Sequence, residues 1–489
     1  MGRINTNVPS LIAQSNLNRS SNDLSTRLQR LATGLRINRG ADDPAGLIVS
    51  ERLRSEIKGI GQAIDNSERA SSVIATTEGY LAEVADLLNS IKSLVVNSAN
   101  TGGISREEVE ANQLEIDSAI ESITRISNTA SFAGLQLLNG SLEYVTSGIS
   151  STDIAGVSIN GVQFGTNSSV AVSVEVTQSA QTGALFLSAP TGTLASSVTL
   201  EIAGNLGVQT LTFVSGTALS AVTAAINTVR DTTGVSAALR TASNQTSGMW
   251  FNSTGYGSES FVSVRKLGQG GGFFQTYSAP SGTATQRDLG RDVSAIVNGA
   301  LATGNGTNVS LNTPALALEI DLTDIFATTV DGNATTFNIT GGGANFQLGP
   351  SITTSQQVGI GIQSVAASRL GGSTIDDARF FLDSIKSGQA NSLLLGRTGE
   401  ASAVLDAAIT EVSVLRGRLG AFERNTLQTN SRSLQIGLEN ITSSESKIRD
   451  TDFAAETAAL SRAQILQQAG TSVLATANST AQNVLRLLQ

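Results

Sequence analysis

The sequence predicts an α+β chain, with a long antiparallel helical bundle or coiled coil formed by both chain ends and a β-rich domain inserted in the middle. Three observations carry this. Apolar residues recur at steps of three and four along both flanks, which puts them on one face of a helix. Charge is depleted between the flanks: residues 141–370 hold 7 Lys/Arg and 12 Asp/Glu, against 24 and 28 in the remaining 259 positions. That same middle is rich in Gly, Thr, Ser and Val, with short β-branched runs bounded by turn residues.

Along the first flank, Leu17, Leu24, Leu28, Leu31 and Leu35 form an N-terminal stripe. A joint, Gly34 to Gly40, separates this arm from a second helix. Pro44 starts that helix, because Pro lacks only an N–H that would be unpaired in the first turn, and an oxygen of Asp42 or Asp43 can cap the others. Leu53, Ile60, Ser67, Ile74, Leu81, Leu88 and Val95 lie seven apart, and a companion row runs through Ile57, Ile64, Ala70, Thr77, Val84 and Ile91. Such paired rows make a coiled-coil seam. From Pro44 to Asn100 the rod would be about 85 Å long at 1.5 Å per residue, too long for one globule.

Asn-Thr-Gly-Gly at 100–103 ends the rod, and Ser105 with Glu108 makes a capping-box start for a third helix to about Asn128. Val170–Val176, Ser197–Ile202 and Thr210–Val214 then read as strands. In the second flank, Leu405, Ala408, Val412, Leu415, Leu419 and Phe422 step three and four, and Leu434, Leu438, Ile441 and Ile448 resume the row. Phe453, Leu460, Leu466, Val473, Leu474, Leu487 and Leu488 form the last stripe. The rest of each arm is Ser, Thr, Asn, Gln and Ala, and isolated helices of that kind are marginal in water. The arms need a neighbour. The expected division is 1–40 with 450–489 as terminal arms, 41–145 with 370–449 as a helical rod with a small β element, and 146–369 as one or two β-rich outer domains.

Composition narrows the function. The 489 residues include no Cys and no His, which removes thiolate nucleophiles, the usual imidazole base and most transition-metal ligand sets. An enzyme is disfavoured, and no cofactor is expected. The net charge of −9 offers no positive field for nucleic acid. No window has the roughly 18 apolar residues of a membrane span, and Met1–Gln14 lacks the apolar core of a cleaved signal.

Several weaker signals have plainer readings. Lys266–Phe273 has the glycines of a phosphate loop but lacks the Lys-Ser/Thr that would follow, so it reads as a hairpin connection. Asn-x-Ser/Thr triplets at Asn167, Asn252, Asn305 and Asn333 are expected by chance in so Ser/Thr-rich a segment. Asp42/Asp43 and Asp376/Asp377 precede helical patterns, which favours capping over acid–base chemistry.

INTNVPSLIAQSNL (4–17), RLATGLRINRGADDPAGLIVSERLR (30–54), TTEGYLAEV (76–84) and FAGLQLLNG (132–140) resemble the N-terminal region of bacterial flagellin. LRGRLGAFERNTLQTN (415–430), ENITSSESKIRDTDFAAET (439–457) and AQILQQAGTSVLATANSTAQNVLRLL (463–488) resemble its C-terminal region. The stretch around FVSVRKL and Lys266–Phe273 is similar to a short motif of some flagellin inserts. The resemblance implies an extracellular structural subunit that polymerises into the helical flagellar filament for swimming motility. The arms would pair as a coiled coil in the filament core, lining a central channel; the rod would surround them and the middle would project outward.

The resemblance also implies export, unfolded, through the flagellar type III apparatus. A dedicated chaperone would mask Leu466, Val473, Leu474 and Leu485, and cap and hook-associated proteins would meet the subunit. No nucleic acid or membrane partner is implied. The rival readings are a hook-filament junction protein with similar ends and an enzyme lodged in the middle. In the family, an animal innate immune receptor reads a rod patch that matches Ser90, Ile91, Lys92, Ser93, Leu94 and Glu115. Leu94 and Glu115 keep the usual residue type, but Ser90 replaces an Arg and Ser93 an acid, which points to a solvated face with no receptor role. O-linked sugars on exposed Ser or Thr of the middle are a further implied feature.

Overall fold

The computed structural model describes residues 6–487 apart from 166, 243, 269–273, 376 and 377, with side chains to residue 480. Its helices are α1 (Val8–Thr33), α2 (Pro44–Ser98), α3 (Arg106–Thr129), α4 (Leu219–Thr228), α5 (Arg230–Thr233), α6 (Asp324–Thr328), α7 (Thr398–Phe422), α8 (Gln428–Arg449) and α9 (Phe453–Leu487). The chain divides into two compact units: residues 1–74, 347–356 and 420–489, and residues 75–346 with 357–419. Helix α2 has 55 residues, those to Ile74 in the first unit and those from Ala75 in the second.

In the first unit, α1 and α9 pack against each other. The joint after α1 turns at Gly34 in the left-handed region (φ 74°), whose N–H donates to the Arg30 carbonyl at 2.8 Å. That geometry favours glycine because a Cβ would crowd the backbone. Beyond it, Leu35 bridges to Asp450, Arg36 N donates to the Arg449 carbonyl at 2.7 Å, and Thr451 N donates to the Gly34 carbonyl at 3.0 Å. The Asp pair divides its work. Asp43 Oδ1 caps α2 through Gly46 N at 2.9 Å, whereas Asp42 Oδ2 accepts from Asn38 N and Arg39 N and holds the joint. Those two backbone bonds, that of Arg39 first, keep the Asp42 carboxyl below its ordinary pKa. Asp376 and Asp377 lie outside the described residues.

In the second unit, the far half of α2 buries Leu81, Val84, Leu88, Ile91 and Val95, α3 buries Ile116, Ile120 and Ile123, and α7 buries Val404, Leu405, Ala408, Val412, Leu415 and Leu419. The capping box at α3 is complete: Ser105 Oγ accepts from Glu108 N, and Glu108 Oε2 accepts from Ser105 N at 2.7 Å. Gln113 is buried on α3 with its amide fully used. Its Nε2 donates to the Asp117 carboxylate (2.8 Å) and the Ile385 carbonyl (2.9 Å), and its Oε1 accepts from Ser392 Oγ (3.0 Å) and Leu393 N (2.9 Å). Short hairpins at Ser131–Phe132 with Leu135–Gln136, and at Ser373–Ile375 with Ala378–Phe380, accompany these helices in the chain.

The middle has two separate cores. An eight-stranded antiparallel sheet runs in the order Tyr144–Ser147, Ala334–Gly342, Val170–Gln178, Ser294–Val297, Ala300–Asn305, Asn308–Asn312, Leu316–Leu322, Ile154–Val162. Val172, Val174, Ala295, Val297, Ile320 and Phe337 fill its buried face. Between residues 178 and 294 the chain leaves to build an insert lobe with two four-stranded sheets. One orders Thr276–Tyr277, Thr182–Leu187, Asn244–Tyr256 and Val235–Thr241; the other orders Arg287–Leu289, Phe261–Leu267, Val198–Gly204 and Val208–Phe213. Leu185, Leu200, Ile202, Val222, Ile226, Met249, Phe251 and Val262 meet in its core, with α4 contributing two of them. Asp292 fastens the return crossing: Oδ1 accepts from Ser258 N (2.9 Å) and Gly306 N (2.8 Å), and Oδ2 from Ser258 Oγ (2.6 Å).

Candidate assembly surface

Helices α1 and α9 run antiparallel. Asn7 Nδ2 donates to the Ala477 carbonyl (3.1 Å), Ser10 Oγ to Asn478 Oδ1 (2.8 Å), Ser20 Oγ to the Ala463 carbonyl (3.4 Å), and Arg27 Nη1 to the Glu456 carboxylate (3.2 Å). A row with 4-3 spacing, Ala13, Leu17, Ser20, Leu24, Arg27 and Leu31 on α1 and Glu456, Leu460, Ala463, Gln467, Gly470, Leu474 and Ala477 on α9, is buried or half-buried. Small residues let the two backbones approach. Leu17 Cδ1 would lie 3.3 Å from a Cβ added at Gly470, so the stripe is tight there.

This contact divides the leucines read as one seam. Leu17, Leu24, Leu31, Leu460 and Leu474 enter it. Leu28, Phe453, Leu466 and Val473 do not, and remain 50%, 57%, 54% and 57% exposed. Leu35 sits half-buried in the joint. The side chains of Leu485, Leu487 and Leu488 lie outside the described residues. Sequence reasoning passed over Leu11, Ile12 and Ile465, equally exposed at 57%, 58% and 67%; Leu466 and Val473, seven apart, were the signal that a second stripe exists on α9. On the rod, Ile60 and Ile74 are buried and Leu53 half-buried in the first unit; Leu81, Leu88, Leu415 and Leu419 are buried in the second.

Around the receptor-like patch, Ser90 and Ser93 are exposed but bond the carbonyls of Asp86 and Ser90. Lys92 Nζ is held by Ser402 Oγ (2.7 Å) and by both carboxylate oxygens of Asp406 (2.6 and 2.7 Å) on α7. Ile91 is fully buried, Leu94 half-buried and Glu115 exposed.

A cleft of about 760 Å³ lies between the eight-stranded sheet and α7. Its charges are largely met within the chain: Arg369 pairs with Glu143 at 3.1 Å, Arg379 with Asp321 at 3.8 Å and the Ala155 carbonyl at 2.8 Å, and Glu411 accepts from Gly371 N at 2.9 Å. Burial pushes the Glu411 and Glu143 carboxyls up and the Arg418 guanidinium down. Among the described residues no group of three or more His, Cys, Asp or Glu could hold a metal, and no helix is long and apolar enough to cross a membrane.

Fold and surface together define a class: an α+β structural subunit whose two chain ends form one helical pair with an uncovered apolar stripe. Residues 4–143 match the bacterial flagellin N-terminal helical region, residues 403–488 the C-terminal helical region, and residues 199–254 the flagellin hook IN motif. That insert motif falls upstream of the FVSVRKL stretch to which the sequence had pointed. B-type flagellin of Pseudomonas aeruginosa is 32% identical over 99% of both chains; flagellin of Escherichia coli K12 is 30% identical and that of Salmonella choleraesuis 29%, each over 99% of both chains. The chain belongs to the flagellin family. It is a structural subunit of the extracellular flagellar filament, a homopolymer of many copies used for motility.

Proposed function

We propose that polymerisation proceeds by covering what the end-helix pair leaves open. Leu28, Phe453, Leu466 and Val473, with Leu11, Ile12 and Ile465, would pack against neighbouring copies. The exposure of these side chains on an already paired α1 and α9 is the observation that supports this reading. Fully burying such a side chain is worth about 1.5–3 kcal/mol, so an uncovered stripe favours association. In the filament, residues 1–40 and 450–489 form the core, 41–145 with 370–449 the surrounding rod, and 146–369 the outward domains.

Export of the unfolded chain through the flagellar type III apparatus fits the same logic. A chaperone that masks Leu466, Val473, Leu474 and Leu485 would prevent premature assembly, and cap and hook-associated proteins would receive the subunit. The protein works without enzymatic activity, and Lys92, already engaged by Asp406, supports a rod face with no receptor role. Chains lacking 1–40 and 450–489 should not form filaments at any accessible concentration. Tubes of normal width built by such chains would refute the mechanism.

A further inference from the structure

The strand Val208–Phe213 is the outer edge of its sheet, paired on one side with Val198–Gly204 only. Gly204 N donates to the Gly207 carbonyl at 3.1 Å across the hairpin turn, and bonded pairs alternate along an antiparallel ladder. Gln209, Leu211 and Phe213 therefore turn their backbone groups inward, toward Ile202, Leu200 and Val198. Val208, Thr210 and Thr212 turn theirs outward. Helix α5 covers the hairpin end, where Leu206 N meets the Thr233 carbonyl at 3.4 Å. Beyond it the edge is open as far as Phe213, with Val208 57% exposed; just past the strand the Val214 carbonyl turns to Thr217 N and Oγ1.

Proteins usually guard such an edge with charge, proline or brevity. The opposite edge of this sheet carries Arg287 and Asp288, and the edges of its companion are the two-residue Thr276–Tyr277 and a strand bearing Arg240. From Ile202 to Val229 there is no charged residue at all, in a chain of net charge −9. Like-charge repulsion between copies is absent along this edge. The partner at hand is another copy, because the filament holds every subunit among identical neighbours at high effective concentration.

We propose that Val208–Phe213 pairs antiparallel with the same strand of a neighbouring copy, joining insert lobes two by two. A two-fold contact centred on Leu211 keeps both buried faces on the same side. It sets Thr210 of one copy opposite Thr212 of the other, with their outward backbone groups in register; the Val214 carbonyl, which Thr217 N and Oγ1 already use, stays outside the pairing. The two Leu211 residues then form a non-hydrogen-bonded pair with Cα atoms about 4.5 Å apart, within disulfide reach.

The inference rests on filament formation, so the test keeps the two apart. Because the chain has no Cys, full-length Leu211→Cys can be polymerised, oxidised mildly and run without reductant. Covalent dimers should dominate with no higher species, at least tenfold above dissociated subunits at equal concentration. Leu301→Cys, 73% exposed on the eight-stranded sheet, should stay monomeric. Adding Thr210→Lys should remove the dimers about tenfold while the yield of filament is unchanged. Should Leu211→Cys misfold, the exposed pair Thr210→Cys with Thr212→Cys takes its place. Filaments that give no more dimer than Leu301→Cys, or dimers untouched by Thr210→Lys, overturn the pairing; an unmodified chain that forms no filament would instead strike the filament reading.

Discussion

Replacing Leu466 and Val473 together by Ser tests the uncovered stripe where it is cleanest. The two lie seven residues apart on α9, 54% and 57% exposed, and outside the contact with α1. About half of each side chain remains to be covered. At about 1.5–3 kcal/mol for complete burial, each loses on the order of 1 kcal/mol, or about 2 kcal/mol per subunit for the pair. Since 1.4 kcal/mol is tenfold in an equilibrium constant, the critical concentration for polymerisation should rise about 30-fold. The subunit's own melting temperature should hold, because both side chains already face water within the chain. Sedimentation of polymer over a dilution series reads the first quantity, and calorimetry of the monomer the second. A critical concentration within threefold of the unmodified chain, with the monomer intact, would refute the reasoning.

Amides before about residue 40 and after about residue 450 should exchange rapidly in dissociated subunits and become protected in the filament, because a narrow half-covered helix pair is marginal alone; equal protection in both states would remove the coupling of order to assembly. Gln113→Ala strands Ser392 Oγ, Leu393 N and the Ile385 carbonyl in a buried place, and should destabilise the second unit by about 2–3 kcal/mol, read as a lowered melting temperature. Glu411→Gln should raise the melting temperature at pH 7 and lose that advantage near pH 4. Burial raises the folded carboxyl above its ordinary value of 4.5, so the native charge costs stability as pH rises past that value and costs nothing below it. A benefit that is equal at both pH values would show that charge is not the cause.

The helical half was legible because helix signals are local. Pro44 behind Asp43, the Ser105 and Glu108 box, and the heptad rows through Leu81, Leu88 and Ile91 each need only neighbours within a few residues. The glycines that end or separate helices act just as locally, through φ. Even Ser67, the polar member of its row, is buried and satisfied by the Ala63 carbonyl at 2.9 Å.

What tertiary structure alone decided is which partner covers which face. Leu24 and Leu28 are four residues apart and read alike, yet one enters the contact with α9 and the other faces water, because the close approach at Ala13, Ala463 and Gly470 selects the helix rotation. Lys92 carries no local mark of its bond to Asp406, 314 positions away. The eight-stranded sheet is closed by strands before residue 178 and after residue 294, around a lobe with a core of its own. By itself the sequence determined where the long flanking helices form, since periodicity and capping are short-range; most strand positions in the middle, strand order, the two cores and the uncovered stripe follow from contacts between distant residues, whose pairing no local pattern encodes.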